Sequence, residues 1–286
     1  MRYTHLITAE QLQALQAGGA PLMVFDCSGE LGNPAAADAM FAERRIAGSR
    51  QAHLERELSA HPPAEAASGG RHPLPLREHF AAWLSGIGFA NDMQAVVYDR
   101  NGCNYCGRLW WMFKWVGHDA VAVLDGGLSA WQAAGGALDS GAAQERPPAH
   151  FQLQPALRRL VQTGDLLAQL GQPAQTLIDA RAPERFRGEV EPLDPVAGHI
   201  PGALNRPYTL NLGADGRFKP REQLRAEFDA LLAGRDAAGV AHHCGSGVSA
   251  VPNVLAMELA GYAPAALFAG SWSEWCRTPG LPVACG

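Results

Sequence analysis

The 286-residue sequence contains no window approaching the ~20 consecutive apolar residues that a membrane-spanning helix needs. Its first stretch, "MRYTHLITAEQLQALQAGGAPLMVFDC", also lacks the charged start and unbroken apolar core of a secretory signal. The expectation is a cytoplasmic protein that does not enter a membrane. Charge of one sign is scarce too: the formal balance is only -5, which gives no basis for a nucleic-acid or polyanion partner. The six cysteines, Cys27, Cys103, Cys106, Cys244, Cys276 and Cys285, follow no disulfide framework, so in a reducing compartment they read as free thiols. What is plentiful is apolar residues, at 47% against 18% charged, the balance of a globular chain with a sizeable core.

The chain echoes itself. Each half opens on a short β-type run ending in Asp, "LMVFD" at Leu22–Asp26 and "TLID" at Thr176–Asp179. Each later offers a strand-like run, a polar or Gly-containing loop, an amphipathic helix and a second apolar strand before a Trp. Gly117 stands 14 residues before Trp131, and Gly261 stands 14 before Trp275. Between the halves lies the Gly-, Ala- and Pro-rich stretch from Ala133 to Pro155, which reads as a surface linker. Strands alternating with helices predict an α/β fold of two domains, residues 1–150 and 151–286, each a parallel sheet flanked by helices. Ligands of such sheets bind beyond the carboxyl ends of the strands.

One cysteine falls at such an end. In "AHHCGSGVSAVPN", Cys244 follows a short apolar run and precedes Gly245, Ser246, Gly247, Val248 and Ser249. A helix-type stripe follows, formed by Val251, Val254, Leu255 and Leu259, with Ser249 the expected N-cap and Pro252 in the first turn. Inward-pointing amides of a Gly-containing turn, together with the helix dipole, stabilise a thiolate, which predicts a reactive cysteine. A cysteine phosphatase would need an arginine clamp at position 250, which is Ala250. A zinc site built from His242, His243 and Cys244 would need ligands on adjacent strand residues, whose side chains point to opposite faces.

The loop "CGSGVSA" closely resembles that of two-domain rhodanese-like sulfurtransferases, in particular those using 3-mercaptopyruvate. "IDARAPERFRGE", "GHIPGA", "GRHPLP", "RLWWMFKWVGH", "LDGGLSAW" and "GSWSEW" carry the resemblance across nearly the whole chain. It implies two tandem rhodanese-like domains, the first without the catalytic cysteine, with Asp99 in that place. It implies that Cys244 takes sulfur from a small donor as a persulfide and passes it to cyanide or to a thiol such as thioredoxin, without metal or organic cofactor. Ser246 and His72 then match a Ser-His-acid relay with Glu55 as the acid. Arg185 matches the arginine that binds the donor's carboxylate or sulfonate, with Arg187 a second candidate. Gly245, Gly247, Val248 and Ser249 line the donor's binding loop.

Some positions depart from the pattern. Glu55 stands where an Asp is usual. Asp194 occupies the place of a second substrate arginine, nine residues after Arg185, and the lost cation leaves thiosulfate open as donor. Cys103 and Cys106 form a Cys-x-x-Cys that reads as a possible redox or sulfur-relay pair. A sulfur- or redox-sensing module, using Cys244 with Cys103 and Cys106 but without turnover, is the reading from another class. His199 reads as a turn residue, and Trp272 and Trp275 read as core anchors.

Overall fold

A computed structural model describes residues 2–61 and 65–286. The polypeptide divides into two compact units, each built on its own parallel sheet. The first takes residues up to 65, then 75–157 and the short piece 214–217; the second takes 66–74, 158–213 and 218–286. The sequence halves therefore meet at Leu157 and Arg158 in the structure, and one short segment from early in the chain is built into the second unit.

The first unit contains β1 (Leu6–Ile7), α1 (Ala9–Ala17), β2 (Leu22–Asp26), α2 (Pro34–Glu43), β3 (Arg45–Ile46), β4 (Arg50–Gln51), α3 (Arg77–Gly86), β5 (Gln94–Tyr98), α4 (Cys106–Trp115), β6 (Val121–Leu124), α5 (Gly127–Ala133) and β7 (Leu138–Asp139). Its five-stranded sheet runs β1-β6-β5-β2-β4, all parallel. Side chains alternate across the pleat. Val24, Val96 and Tyr98 meet Leu12 of α1 and Leu128 and Trp131 of α5 on one face. Phe25 of β2 turns the other way, its ring 5.5 Å from Phe113 of α4 and 6.0 Å from Phe89. Each such aromatic side chain contributes about 1.5–3 kcal/mol by leaving water.

The second unit contains α6 (Thr163–Ala168), β8 (Thr176–Asp179), α7 (Pro183–Phe186), β9 (Leu204–Asn205), α8 (Arg221–Leu232), β10 (Val240–His243), α9 (Val251–Leu259), β11 (Ala266–Leu267) and α10 (Ser271–Trp275). Its sheet order, β11-β10-β8-β9, repeats the β6-β5-β2-β4 order of the first unit. Leu177 and Ala241 face Trp272 and Trp275, while Ile178 and Val240 face Leu224, Phe228 and Met257 on the opposite side. The two runs read as strands from sequence, Leu22–Asp26 and Thr176–Asp179, are β2 and β8.

The Gly/Pro-rich stretch after α5 does run along a surface, that of the first unit. It contributes β7, antiparallel to β3, and is then pinned by Ala149 and Phe151 to Ser85 and by Gln154 to Val116. The helix after the cysteine loop starts later than the sequence suggests. Ala250 rather than Ser249 is its cap, with no side-chain cap bond, because the Val251 N–H already bonds back to the Val248 carbonyl. The turn itself starts the helix. Of the predicted stripe, Val251, Val254 and Leu255 are buried and Leu259 is half-buried.

Candidate active site

Cys244 directly follows β10, a strand bonded on both sides by parallel neighbours, so its backbone position is fixed from two directions. The residue is buried, at 2% exposure. The "GSWSEW" segment holds the loop from behind. The Trp272 N–H donates to the Cys244 carbonyl and the Ser273 N–H to the Gly245 carbonyl, both at 2.9 Å. Ser271 accepts the Cys244 N–H on its Oγ at 3.1 Å and donates to the Phe268 carbonyl at 2.9 Å. It does so from a left-handed backbone with φ of 56°, a conformation that is costly for a residue with a Cβ. Gly247 has φ of 73°, and a Cβ there would come within 2.2 Å of the Ala269 carbonyl oxygen, so the loop requires glycine at this position.

The early segment 66–74 is tied to the same motif. The Gly69 N–H donates to Glu274 Oε2 at 3.1 Å, and the Arg71 N–H donates to Ser273 Oγ at 2.9 Å. This anchoring brings His72, itself buried, to the loop: its Nδ1 and Ser246 Oγ share a hydrogen bond of 2.7 Å. The motif "GSWSEW" thus supplies polar anchors as well as the two buried indoles of Trp272 and Trp275.

Charged groups surround the loop in layers. The Arg181 guanidinium lies 2.7 Å from Asp179, 3.3 Å from Glu191 and 4.9 Å from the centre of the Trp272 ring. Burial works against the Asp179 carboxylate, but His243 and Arg181 beside it hold its pKa below the usual range. Arg185 pairs with Glu191 at 2.6 Å. Asp194 is fully buried and binds Arg71 and Arg277, each at 2.7 Å. A Cβ built on Gly245 would sit 3.2 Å from Arg71 Nη2 and 3.6 Å from Arg185 Nη1, so both guanidiniums stand over the loop.

Among the predicted site residues, the structure brings together Cys244, Gly245, Ser246, Gly247, His72 and Arg185; Val248 is buried in the loop and Ser249 is half-buried at its end. Arg187 is exposed and paired with Glu189 at 2.7 Å. Glu55 belongs to the first unit, where its carboxylate lies 3.6 Å from His61 and its N–H donates to His53 Nδ1. His242 and His243 face opposite sides of β10, the first 3.1 Å from Met257 Sδ and the second beside Asp179. Burial, with His243 and Arg206 nearby, pushes the His242 pKa down to about 3. His199 stacks on Phe186 with ring centres 3.8 Å apart. Sequence reading missed Arg71 and read Asp194 only as a missing cation. The one available signal was that Arg71 is adjacent to His72 in "GRHPLP".

In the first unit the place equivalent to Cys244 belongs to Asp99, after β5. Its carboxylate accepts the N–H groups of Asn101, Cys103, Tyr105 and Cys106 at 2.8–3.0 Å. Burial pushes the Cys106 thiol well up. A hydrogen bond from Cys106 lowers the Cys103 thiol, yet burial and the Asp99 charge raise it overall. Such thiols are poor nucleophiles near neutrality. Brief labelling of the native protein with a thiol-specific disulfide reagent should therefore leave Cys27, Cys103 and Cys106 unmodified while the exposed Cys285 reacts. Rapid labelling of Cys103 or Cys106 on peptide mapping would contradict this.

Tandem parallel sheets and a cysteine loop at the carboxyl end of an inner strand define the class, a duplicated α/β protein. Comparison with known proteins narrows it. The rhodanese-like domain family matches residues 8–134 and again 162–278. A protein of Pseudomonas aeruginosa named "Probable 3-mercaptopyruvate sulfurtransferase" is 48% identical over 100% of both chains. The human 3-mercaptopyruvate sulfurtransferase is 36% identical over 93% of this chain and 89% of its own. The crystal structure of SseA from Escherichia coli superposes with a TM-score of 0.77 at 29% identity, covering 95% of this chain and 100% of that one. The chain belongs to the rhodanese family of sulfurtransferases. Among the described residues, no helix is long and apolar enough to cross a membrane.

Proposed function

We propose that the enzyme uses 3-mercaptopyruvate as its sulfur donor, with Cys244 as nucleophile and a thiol, such as that of a thioredoxin, as acceptor in the cytoplasm. The observation that carries this reading is the 2.7 Å bond between Ser246 and His72, two residues beyond the cysteine. Thiosulfate has no carbonyl for such a pair to act on, whereas mercaptopyruvate does. The Cys244 thiolate attacks the donor sulfur and the carbon–sulfur bond breaks, its electron pair passing into the enolate of pyruvate. Ser246, held by His72, donates toward the carbonyl oxygen as that charge develops. The enolate carbon takes up the proton that the donor thiol gives up, which leaves pyruvate and a Cys244 persulfide anion. An acceptor thiol then removes the outer sulfur and restores the Cys244 thiolate. Storing sulfur on the enzyme divides one difficult transfer into two easier ones.

The test compares two donors. Ser246→Ala should lower kcat for 3-mercaptopyruvate by about 10²-fold and that for thiosulfate far less. A wild-type enzyme with the larger kcat/KM for thiosulfate, or a variant that slows both donors equally, would overturn the assignment.

A further inference from the structure

We propose that Arg71, aimed by Asp194, is a specificity-determining residue that supplies a second arm, beside Arg185, for the donor's carboxylate. This inference rests on the donor proposed above. The lost second arginine of the "PERFRGEVEPLD" stretch is replaced by one arriving from a distant segment.

Two observations support it. First, each guanidinium spends one arm on a carboxylate and leaves the other unused. Arg71 gives Nη1 to Asp194 and Arg185 gives Nη2 to Glu191, while among the described residues Arg71 Nη2 and Arg185 Nη1 have no hydrogen-bond partner. Second, those unused arms are the atoms nearest Gly245, at 3.2 and 3.6 Å from where a side chain there would begin. Glycine at 245 therefore keeps open the space that both arms face, one residue from Cys244. A cavity of about 440 Å³ lined by Gly70, Arg71, Ser273, Glu274, Arg277 and Thr278 opens beside Arg71.

Asp194 sets the geometry. Its buried carboxylate binds Arg71 and the half-exposed Arg277 on one oxygen, and its other oxygen lies 3.7 Å from Arg185. An arginine at 194 would compete with Arg71 for this place. An aspartate instead draws Arg71 in and fixes its fork.

The test is independent of the donor. Cys244 is alkylated with iodoacetate, which carries a carboxylate, and with neutral iodoacetamide, and modification is followed by peptide mass. In Arg71→Gln the iodoacetate rate should fall about 10-fold or more relative to the iodoacetamide rate, as expected for losing a charge-assisted contact. Arg71→Lys should fall in between, since it keeps charge without the fork. An unchanged iodoacetamide rate shows that the loop is intact. The KM for 3-mercaptopyruvate should rise by a similar factor in Arg71→Gln, with kcat changed less. An unaltered rate ratio in Arg71→Gln would overturn the second arm. A wild-type enzyme that rejects 3-mercaptopyruvate while the ratio still falls would sustain the second arm and remove the donor.

Discussion

Cys244→Ser should reduce sulfur transfer by roughly 10⁴-fold or more, for every donor and acceptor pair. The exchange is nearly isosteric and leaves the surrounding structure in place. Ser271 still accepts the residue's N–H, and the Trp272 N–H still finds its carbonyl. What disappears is a polarisable sulfur nucleophile able to hold a second sulfur. Wild-type protein incubated with donor alone should gain the mass of one sulfur atom on the Cys244 peptide, and the variant should gain none. A variant within ten-fold of wild type, or sulfur carried on another cysteine, would remove Cys244 from the mechanism.

The second large effect concerns folding. Asp179→Ala should destabilise the second unit by about 3 kcal/mol, because it removes the nearest anion of Arg181, whose side chain is only 1% exposed, and leaves it Glu191 at 3.3 Å. The unit's thermal transition should fall by roughly 6–20 °C. Replacing both partners, Asp179→Leu with Arg181→Met, should recover at least half of that loss, since the cost lies in an under-compensated buried cation and Glu191 keeps Arg185 as its partner. A double variant as unstable as the single one would show that the pair matters for another reason. The pH dependence has a definite sign. The Asp179 carboxyl has a lower pKa folded than unfolded, so its stabilisation is present above the usual Asp value of about 3.9 and lost as pH falls through the lower folded value. The gap between wild type and Asp179→Ala should therefore narrow in acid.

The fold was legible because its causes are local. Apolar runs of four or five residues ending in Asp gave β2 and β8, and the equal spacing from Gly117 to Trp131 and from Gly261 to Trp275 reported the duplication. The cysteine's place was equally plain, since a strand end, a Gly-containing turn and a helix start are written within a dozen residues. Local signals failed where partners lie far apart in the chain. Arg71 and Asp194 are 123 positions apart, and no periodicity or spacing announces their ion pair. Asp194, read alone, is a missing cation; in the fold it is the counter-charge that brings a different cation in. The cap at Ala250 was missed for a smaller reason, a backbone turn doing what a serine side chain was expected to do.

The Asp99 carboxylate bears on how the first unit keeps its loop folded with no cysteine at that place. Four amides converge after β5, and a loop of that shape needs a negative partner to stay folded. An aspartate is an anion that cannot diffuse away, accept sulfur or be oxidised. The first unit thereby carries the acceptor for these four amides within its own chain. Folding such a loop and doing chemistry in it are separable requirements: the amides need an acceptor, not a sulfur atom.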